Sequence, residues 1–264
     1  MYDFDYVKPK AVAEVASILA GDGEAKALAG GMTLIPVLKQ RLNKPTKVVD
    51  LAGLGLSGIK VTGEMVEIAA MTTHAAVAAS ADVKRAIPGL AALAAGIGDE
   101  AVRHRGTIGG SLANNDPSAC YPSAVLALGA TIVTNKRSIA ADDYFQGMFT
   151  TALEPGEVIT AVQFPIPAKA AYVKFKNPAS RYAMVGVFVA KGPKGVRVAI
   201  TGAGQNGVFR HKAMEEALGK SWSPDALTGV TTPADGLNSD IHASAEYRAH
   251  LVGVMAKRAV AAAG

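Results

Sequence analysis

ALAGGMTLIPVL, residues 27–38, passes from a strand signal through a glycine pair into a helix signal. Lys26 to Ala29 read as a buried strand running into Gly30 and Gly31, and Thr33 stands where its hydroxyl can cap a helix over Leu34 to Leu42. A Gly-Gly step lets backbone N–H groups turn toward an anion with no Cβ in the way. At a strand-to-helix junction the free N–H groups of the first helical turn add to that preference for a phosphate. TIGGS, Thr107 to Ser111, repeats the pattern of glycine pair plus hydroxyl. Two such cradles in one chain point to a ligand that carries a pyrophosphate.

Working outward from the first pair, Phe4 to Val7 and Lys47 to Leu51 read as strands and Lys10 to Ala20 as a helix, an alternation of strand and helix. Gly53 to Gly58 spell GxGxxG, but β-branched residues around Thr62-Gly63 follow in a hairpin pattern, so the motif reads as a plain loop. Thr72 to Ala79 and Gly89 to Ala95 read as helices, with His74 expected at the surface or in a capping turn. Around the second pair lies AVRHRGTIGGSLANNDPSACYPSAVLALGA, residues 101–130, the densest stretch of glycine and polar chemistry in the chain. Arg103, His104 and Arg105 invite a phosphate-binding reading but read first as braces for the turn, bonding its carbonyls, because the glycine backbone already supplies donors, and Ser123 to Leu128 read as an apolar helix. Val158 to Phe164 is a strand, Pro165 to Ala170 a linker, and strands Ala171 to Lys176, Ala183 to Ala190 and Val196 to Thr201 then precede mostly helical sequence.

Composition removes several classes. Net charge is +5, yet the basic residues are scattered and aromatics make up 6%, which is not a nucleic-acid footprint. No apolar run approaches the roughly 18 residues of a membrane span. The acidic, aromatic start MYDFDYVKPK is not a signal peptide, so a cytoplasmic location is expected. Cys120 is the single cysteine, so this chain cannot by itself hold a Cys-ligated iron–sulfur cluster. A second GxGxxG, Gly202 to Gly207, follows a strand and precedes a helical pattern. A nicotinamide site there needs a further parallel strand ending in an acid about 20 residues on, and GKSWSPDALTGV does not supply one.

AGGMTLIP, the 101–130 stretch, GEVITAVQFP and TGAGQNGVFR together resemble the FAD-binding medium subunit of molybdenum hydroxylases, the carbon monoxide dehydrogenase type in particular, over essentially the whole chain. The resemblance implies an α+β fold: a two-subdomain PCMH/vanillyl-alcohol-oxidase-type FAD domain over residues 1–168 (1–54 and 55–168), then a small α+β domain over 169–264 with a three-stranded sheet plus helices. It implies noncovalent FAD, since Met32 replaces the His that related flavoproteins can use for attachment. Ala29, Gly30, Gly31, Met32 and Thr33 would form the first FAD loop and Thr107, Ile108, Gly109, Gly110 and Ser111 the second, their backbone N–H groups enclosing the diphosphate. Ile159 and Lys176 would lie at the isoalloxazine, and Tyr182 would screen it. Cys120 stands where relatives place Asp or Glu, so Asp116 or Asn115 is expected to take the ribityl or ribose contact.

The partners implied are a large subunit with the molybdenum cofactor and a small one with two 2Fe-2S clusters, arranged as a dimer of heterotrimers. In this reading the chain transfers electrons to an external acceptor and has no acid, base or nucleophile of its own. The alternatives are a stand-alone FAD oxidoreductase of the same domain type and a nicotinamide-binding protein.

Overall fold

The computed structural model describes residues 1–264. Strands β1 (Asp5–Val7), β2 (Lys26–Leu28) and β3 (Lys47–Asp50), with helices α1 (Val12–Gly21) and α2 (Leu34–Lys39), make a parallel sheet in the order β1-β3-β2. Parallel neighbours need a crossover, which α1 and α2 provide. Val49 on the central strand and Val15 on α1 are both fully buried, in one small apolar cluster with Ala25, Leu51 and Val158. The elements end within a residue or three of the sequence reading.

The next sheet is antiparallel. The hairpin β4 (Ile59–Thr62) and β5 (Met65–Ala69) turns at Gly63, whose φ of +57° suits glycine. Helices α3 (His74–Ala79), α4 (Ala81–Ala86), α5 (Pro88–Ala95), α6 (Glu100–Arg105), α7 (Ile108–Asn114) and α8 (Tyr121–Ala127) follow, and then β6 (Thr131–Thr134), β7 (Ser138–Ala140) and the single turn α9 (Ala141–Tyr144). A small hairpin, β8 (Phe145–Gly147) and β9 (Thr150–Thr151), leads to β10 (Ile159–Pro165). β10 inserts between β5 and β6, giving the order β4-β5-β10-β6-β7.

After three residues the chain enters β11 (Lys169–Lys176), β12 (Ala183–Gly192) and β13 (Gly195–Thr201), and a two-residue β14 (Phe209–Arg210) adds a fourth strand to the three expected. Helices α10 (Lys212–Lys220) and α11 (Ala245–Ala263) cover one face. The first eight residues of β12 are all buried, because its two faces enter two different cores. Val185, Val187 and Val189 pack with Leu251, Val252 and Met255 of α11. Phe188 and Ala190 pack with Leu90 and Leu93 of α5 and Val125 of α8. A strand covered on both sides reads as a continuous apolar run rather than an alternating one, and AMVGVFVA is such a run. Fully burying a Val or Phe side chain contributes roughly 1.5–3 kcal/mol, so β12 fastens the last sheet to α5 and α8.

The Gly202–Gly207 segment turns β13 into antiparallel β14, and the next element after α10 is a short 3-10 turn, Pro224–Leu227. β13 has only antiparallel neighbours, so no dinucleotide-binding βαβ unit forms there.

The turn before β10 joins the parallel sheet to the antiparallel one. A Cβ on Gly156 would stand 2.7 Å from the Ala16 carbonyl oxygen of α1, so the two backbones touch. Next to it the side chain of Glu157 is fully enclosed, accepting from Arg137 Nε at 3.0 Å, Thr134 Oγ1 at 2.8 Å and the Glu154 N–H at 2.8 Å. The Arg137 hydrogen bond is the main cause that brings the Glu157 carboxyl down from 4.5 to about 2. A carboxyl depressed in the folded state adds stability that is complete above its unfolded value and is lost as pH falls toward its folded one. The thermal midpoint of the wild type should therefore decline between about pH 5 and pH 2 more steeply than that of Glu157→Gln, which should start lower at neutral pH. Parallel slopes for the two proteins would refute this role.

Candidate functional site

The loop between β2 and α2 exposes its backbone donors. The amide N–H groups of Ala29, Gly30, Gly31, Met32, Thr33 and Leu34, six in sequence, have no acceptor anywhere in the chain. None of these residues is buried, so the donors are open to a ligand. Thr33 does not cap α2 as the sequence suggested: its side chain accepts no hydrogen bond, and its backbone is already helical at φ −108°, ψ −50°. The Thr33 hydroxyl is thereby left free beside the free amides. A run of amides with no internal partner matches a bound anion such as a diphosphate.

The second glycine pair works differently from the first, and here the expectation is corrected. Four of its five amides are already engaged, that of Thr107 being the exception: Ile108 donates to the Thr72 carbonyl at 3.1 Å, Gly109 to Ala70 at 2.8 Å, Gly110 to Thr107 Oγ1 at 3.1 Å and Ser111 to the Thr107 carbonyl at 3.0 Å. TIGGS therefore caps and starts α7, with Thr107 as the cap. Its glycines permit close approach. A Cβ on Gly109 would stand 2.7 Å from the Ala70 Cβ, and one on Gly110 3.3 Å from the Ala29 Cβ. Gly30 is tighter still, since a Cβ there would lie 2.0 Å from the Arg105 carbonyl oxygen. The first glycine loop thus lies on the backbone of Arg105 and Gly106, immediately before the second loop some 80 residues on, and the Ser111 hydroxyl remains free.

The helix before the second loop is braced from within. Arg103 donates to the carbonyls of Ile97 at 2.8 Å and Gly98 at 3.1 Å and pairs with Glu100 at 2.5 Å, and His104 Nδ1 meets the Glu100 carbonyl at 2.8 Å. These two residues take the bracing role read from the sequence. The Arg105 side chain makes no bond within the chain, and its carbonyl is what Gly30 rests on. His74 lies in the capping turn, as the first residue of α3 after the Thr73 cap, but it is not at the surface. It is 5% exposed, lies under Gly106, where a Cβ would meet its Nε2 at 2.5 Å, and packs on the Tyr121 ring. Burial, with Arg103 nearby, brings its pKa from 6.5 to about 4, so it is neutral at ordinary pH.

The other candidate residues fall around this junction. Ile159 is buried in the main core, and the carbonyl of its neighbour Thr160 accepts from the Ala70 N–H, whose own carbonyl accepts from Gly109. Asn115, in a left-handed conformation at φ +43°, donates from Nδ2 to the carbonyls of Gly147 and Thr150 at 2.8 Å each, leaving its buried Oδ1 without a partner. Asp116 accepts the Ser118 N–H on Oδ1 at 2.8 Å and keeps Oδ2 free. Lys176 is exposed at the end of β11 and unbonded, and Tyr182 is half-buried, edge-on to His242 with ring centroids 6.4 Å apart.

One residue escaped the sequence reading. Lys174 donates to the carbonyls of Gly96 and Arg181, 2.7 Å each, and stands 3.5 Å from Cys120 Sγ, tying the turn that carries Tyr182 to the ends of α5 and α8. Its only signal was a lysine set between the apolar Val173 and Phe175 of β11. A cavity of about 470 Å³ lies further away, lined by Gly204, Gly207, Phe209, His211, Thr232 and Leu237 among others, and no residue of either glycine pair borders it.

The comparisons with known proteins cover the whole chain. The family described as the FAD binding domain in molybdopterin dehydrogenase matches residues 2–167, and the CO dehydrogenase flavoprotein C-terminal domain matches residues 170–263. The chain is 37% identical over 274 residues to the carbon monoxide dehydrogenase medium chain of Afipia carboxidovorans, covering 97% of this chain and 95% of that one. It is 34% identical to the nicotine 6-hydroxylase medium subunit of Paenarthrobacter nicotinovorans, covering 98% and 96%. The solved structure of reconstituted CO dehydrogenase from Oligotropha carboxidovorans superimposes with a TM-score of 0.90 at 35% identity, covering 99% of this chain and 97% of that one.

Two glycine substitutions separate close approach from ligand contact. Gly30→Ala drives a methyl into the Arg105 carbonyl, which cannot yield, so FAD content after purification should fall by at least about ten-fold, equivalent to roughly 1.4 kcal/mol. Gly110→Ala meets only a hydroxyl at 3.0 Å and a methyl at 3.3 Å inside a helix, where alanine gains up to about 1 kcal/mol over glycine, so FAD content should stay near wild type. Equal FAD content in the two variants would contradict the assignment.

Proposed function

The chain belongs to the FAD-binding family of molybdopterin dehydrogenases, and on that premise we propose how its own residues hold the flavin. It is the medium, FAD-binding subunit of a multi-subunit molybdenum hydroxylase and takes part in electron transfer, the molybdenum cofactor and the iron–sulfur clusters lying in partner subunits. No helix is long and apolar enough to cross a membrane.

The observation that carries the binding proposal is the run of six amides without acceptors from Ala29 to Leu34. They would take the diphosphate oxygens, joined by the Thr33 and Ser111 hydroxyls. Neutral amides suit this task because they are fixed by the backbone and need no desolvation of a lysine or arginine head. Thr107, Ile108, Gly109 and Gly110 act by geometry: they start α7 and bring its first turn against Ala29. Asp116, through its free oxygen, accepts from a ribityl or ribose hydroxyl, the contact that Cys120 makes poorly because a thiol is a weak acceptor. Ile159 backs the ring, Tyr182 screens it, and Lys176 stands at its polar edge. When bound, the flavin supplies the two-electron redox chemistry that no side chain here can.

The FAD unit spans residues 1–168, with subdomains 1–54 and 55–168, and the C-terminal unit 169–264. The assembly pairs this chain with a large molybdenum subunit and a small iron–sulfur subunit as a dimer of heterotrimers in the cytoplasm. FAD is held noncovalently, since Met32 offers no imidazole for attachment.

The first test is an absorption spectrum of the protein with whatever copurifies, followed by acid precipitation. Flavin bands, FAD in the supernatant and two further chains in the same peak are the expected result. A colourless single chain that gains no spectrum on adding FAD would overturn the proposal, and flavin left in the pellet would overturn the noncovalent link. Lys176→Ala should lower the flavin midpoint potential, by on the order of 30 mV for about 1.4 kcal/mol of lost stabilisation of the reduced ring, and an unchanged potential would remove Lys176 from that role.

A further inference from the structure

Arg248 on α11 is the largest fully enclosed side chain in the molecule, at 2% exposure. A buried guanidinium is a poor way to add stability, since well-packed apolar residues of similar volume are often as good or better, so its contacts are informative. One nitrogen donates to the Met184 carbonyl at 2.6 Å and the Gly202 carbonyl at 3.2 Å, and the other to Asp240 Oδ2 at 2.8 Å. These acceptors belong to three separate segments, and each segment leads toward the proposed flavin site.

Met184 lies two residues after Tyr182, at the start of β12. Gly202, held at φ +81° with no room for a Cβ beside the Ala183 carbonyl, donates its N–H to the Pro117 carbonyl at 2.8 Å. Its neighbour Thr201 adds bonds from Oγ1 to the carbonyls of Pro117 at 2.9 Å and Ala119 at 2.6 Å. The 116–119 loop follows directly from the helix that the second glycine pair starts, and it contains Asp116. Asp240 in turn accepts the N–H groups of His242 at 2.9 Å and Ala243 at 3.1 Å, and His242 is the residue edge-on to Tyr182.

We infer that Arg248 is a positioning residue for the flavin site. By joining the Met184, Gly202 and Asp240 segments it sets both the Tyr182–His242 pair and, through Gly202 and Pro117, the Asp116 loop. It does so without touching the cofactor. The planar fork of arginine reaches these acceptors from two nitrogens held apart in one plane, whereas the donors of lysine all leave a single atom. The inference rests on the flavin site proposed above.

The test uses the complex purified with its partner subunits, stripped of flavin and titrated with FAD. The variants are Arg248→Lys and Arg248→Met, with Val252→Ala as control, a fully buried residue on the same helix with no bond to these segments. Both Arg248 variants should bind FAD at least about ten-fold more weakly and shift the flavin midpoint potential, while Val252→Ala lowers the thermal midpoint and leaves affinity and potential unchanged. Asp240→Asn, at the half-exposed end of the pair, keeps a complex assembled if the Arg248 variants do not fold, and should weaken FAD binding in the same direction by less. Wild-type affinity and potential in Arg248→Met, or in Asp240→Asn where only that variant assembles, would overturn the inference. So would a loss in Val252→Ala equal to that in Arg248→Lys, since loosening of the fold would then suffice. A wild-type complex that takes up no FAD would instead remove the flavin reading itself, and this role with it.

Discussion

The contact between the Gly30 backbone and the Arg105 carbonyl is the constraint on which the site depends. With a virtual Cβ 2.0 Å from that oxygen, any side chain at position 30 would push the first loop away from the helix that precedes the second. The first loop leaves the parallel sheet and the second lies between α6 and α7, and nothing in the parallel sheet alone fixes their separation. Glycine does so here by omission, letting main chain lie on main chain, which is stiffer than any contact through side chains. The bracing of α6 by Arg103 follows from the same need, because the carbonyl that receives Gly30 has to stay in place.

The same economy explains why the two glycine pairs, similar as letters, differ as structures. The first has six amides with no protein partner, while the second has four of its five bonded to Thr72, Ala70 and Thr107. In one case glycine serves exposure of the backbone and in the other it serves packing of a helix onto the strand before it. A sequence pattern cannot distinguish the two, because the difference lies in whether acceptors stand opposite, and Thr72 and Ala70 are brought there only by the completed sheet.

Most of the architecture was legible in the sequence for an identifiable reason. Alternation, glycine breaks and the all-apolar run at β12 are local signals, and the order of four motifs along the chain matched a known arrangement. What could not be read depends on residues far away in the chain. His74 is buried because Gly106 has no side chain to displace it, a fact 32 residues distant. Lys174, not Lys176, makes the bonds at the end of β11, because the carbonyls of Gly96 and Arg181, distant along the chain or in the turn, stand opposite Lys174 alone. Thr33 satisfies the composition of a cap and does not form one, since its backbone is already helical.

The division of labour among charged groups follows from these placements. Three cations around the site are committed to the protein itself, Arg103 to Ile97 and Gly98, Lys174 to Gly96 and Arg181, Arg248 to Met184, Gly202 and Asp240, while Arg105 and Lys176 keep free side chains. Each of the three bonds carbonyls at the end of a helix or strand, where the backbone has acceptors to spare. The donors that the first glycine loop offers an anion are amides, whose dipoles are weaker than a full charge but do not move. For a subunit whose flavin must receive electrons from one chain and pass them on, fixed geometry matters more than a strong counter-charge, because rearrangement in the site would add to the barrier of every transfer. The cations build the frame, and the frame presents neutral donors.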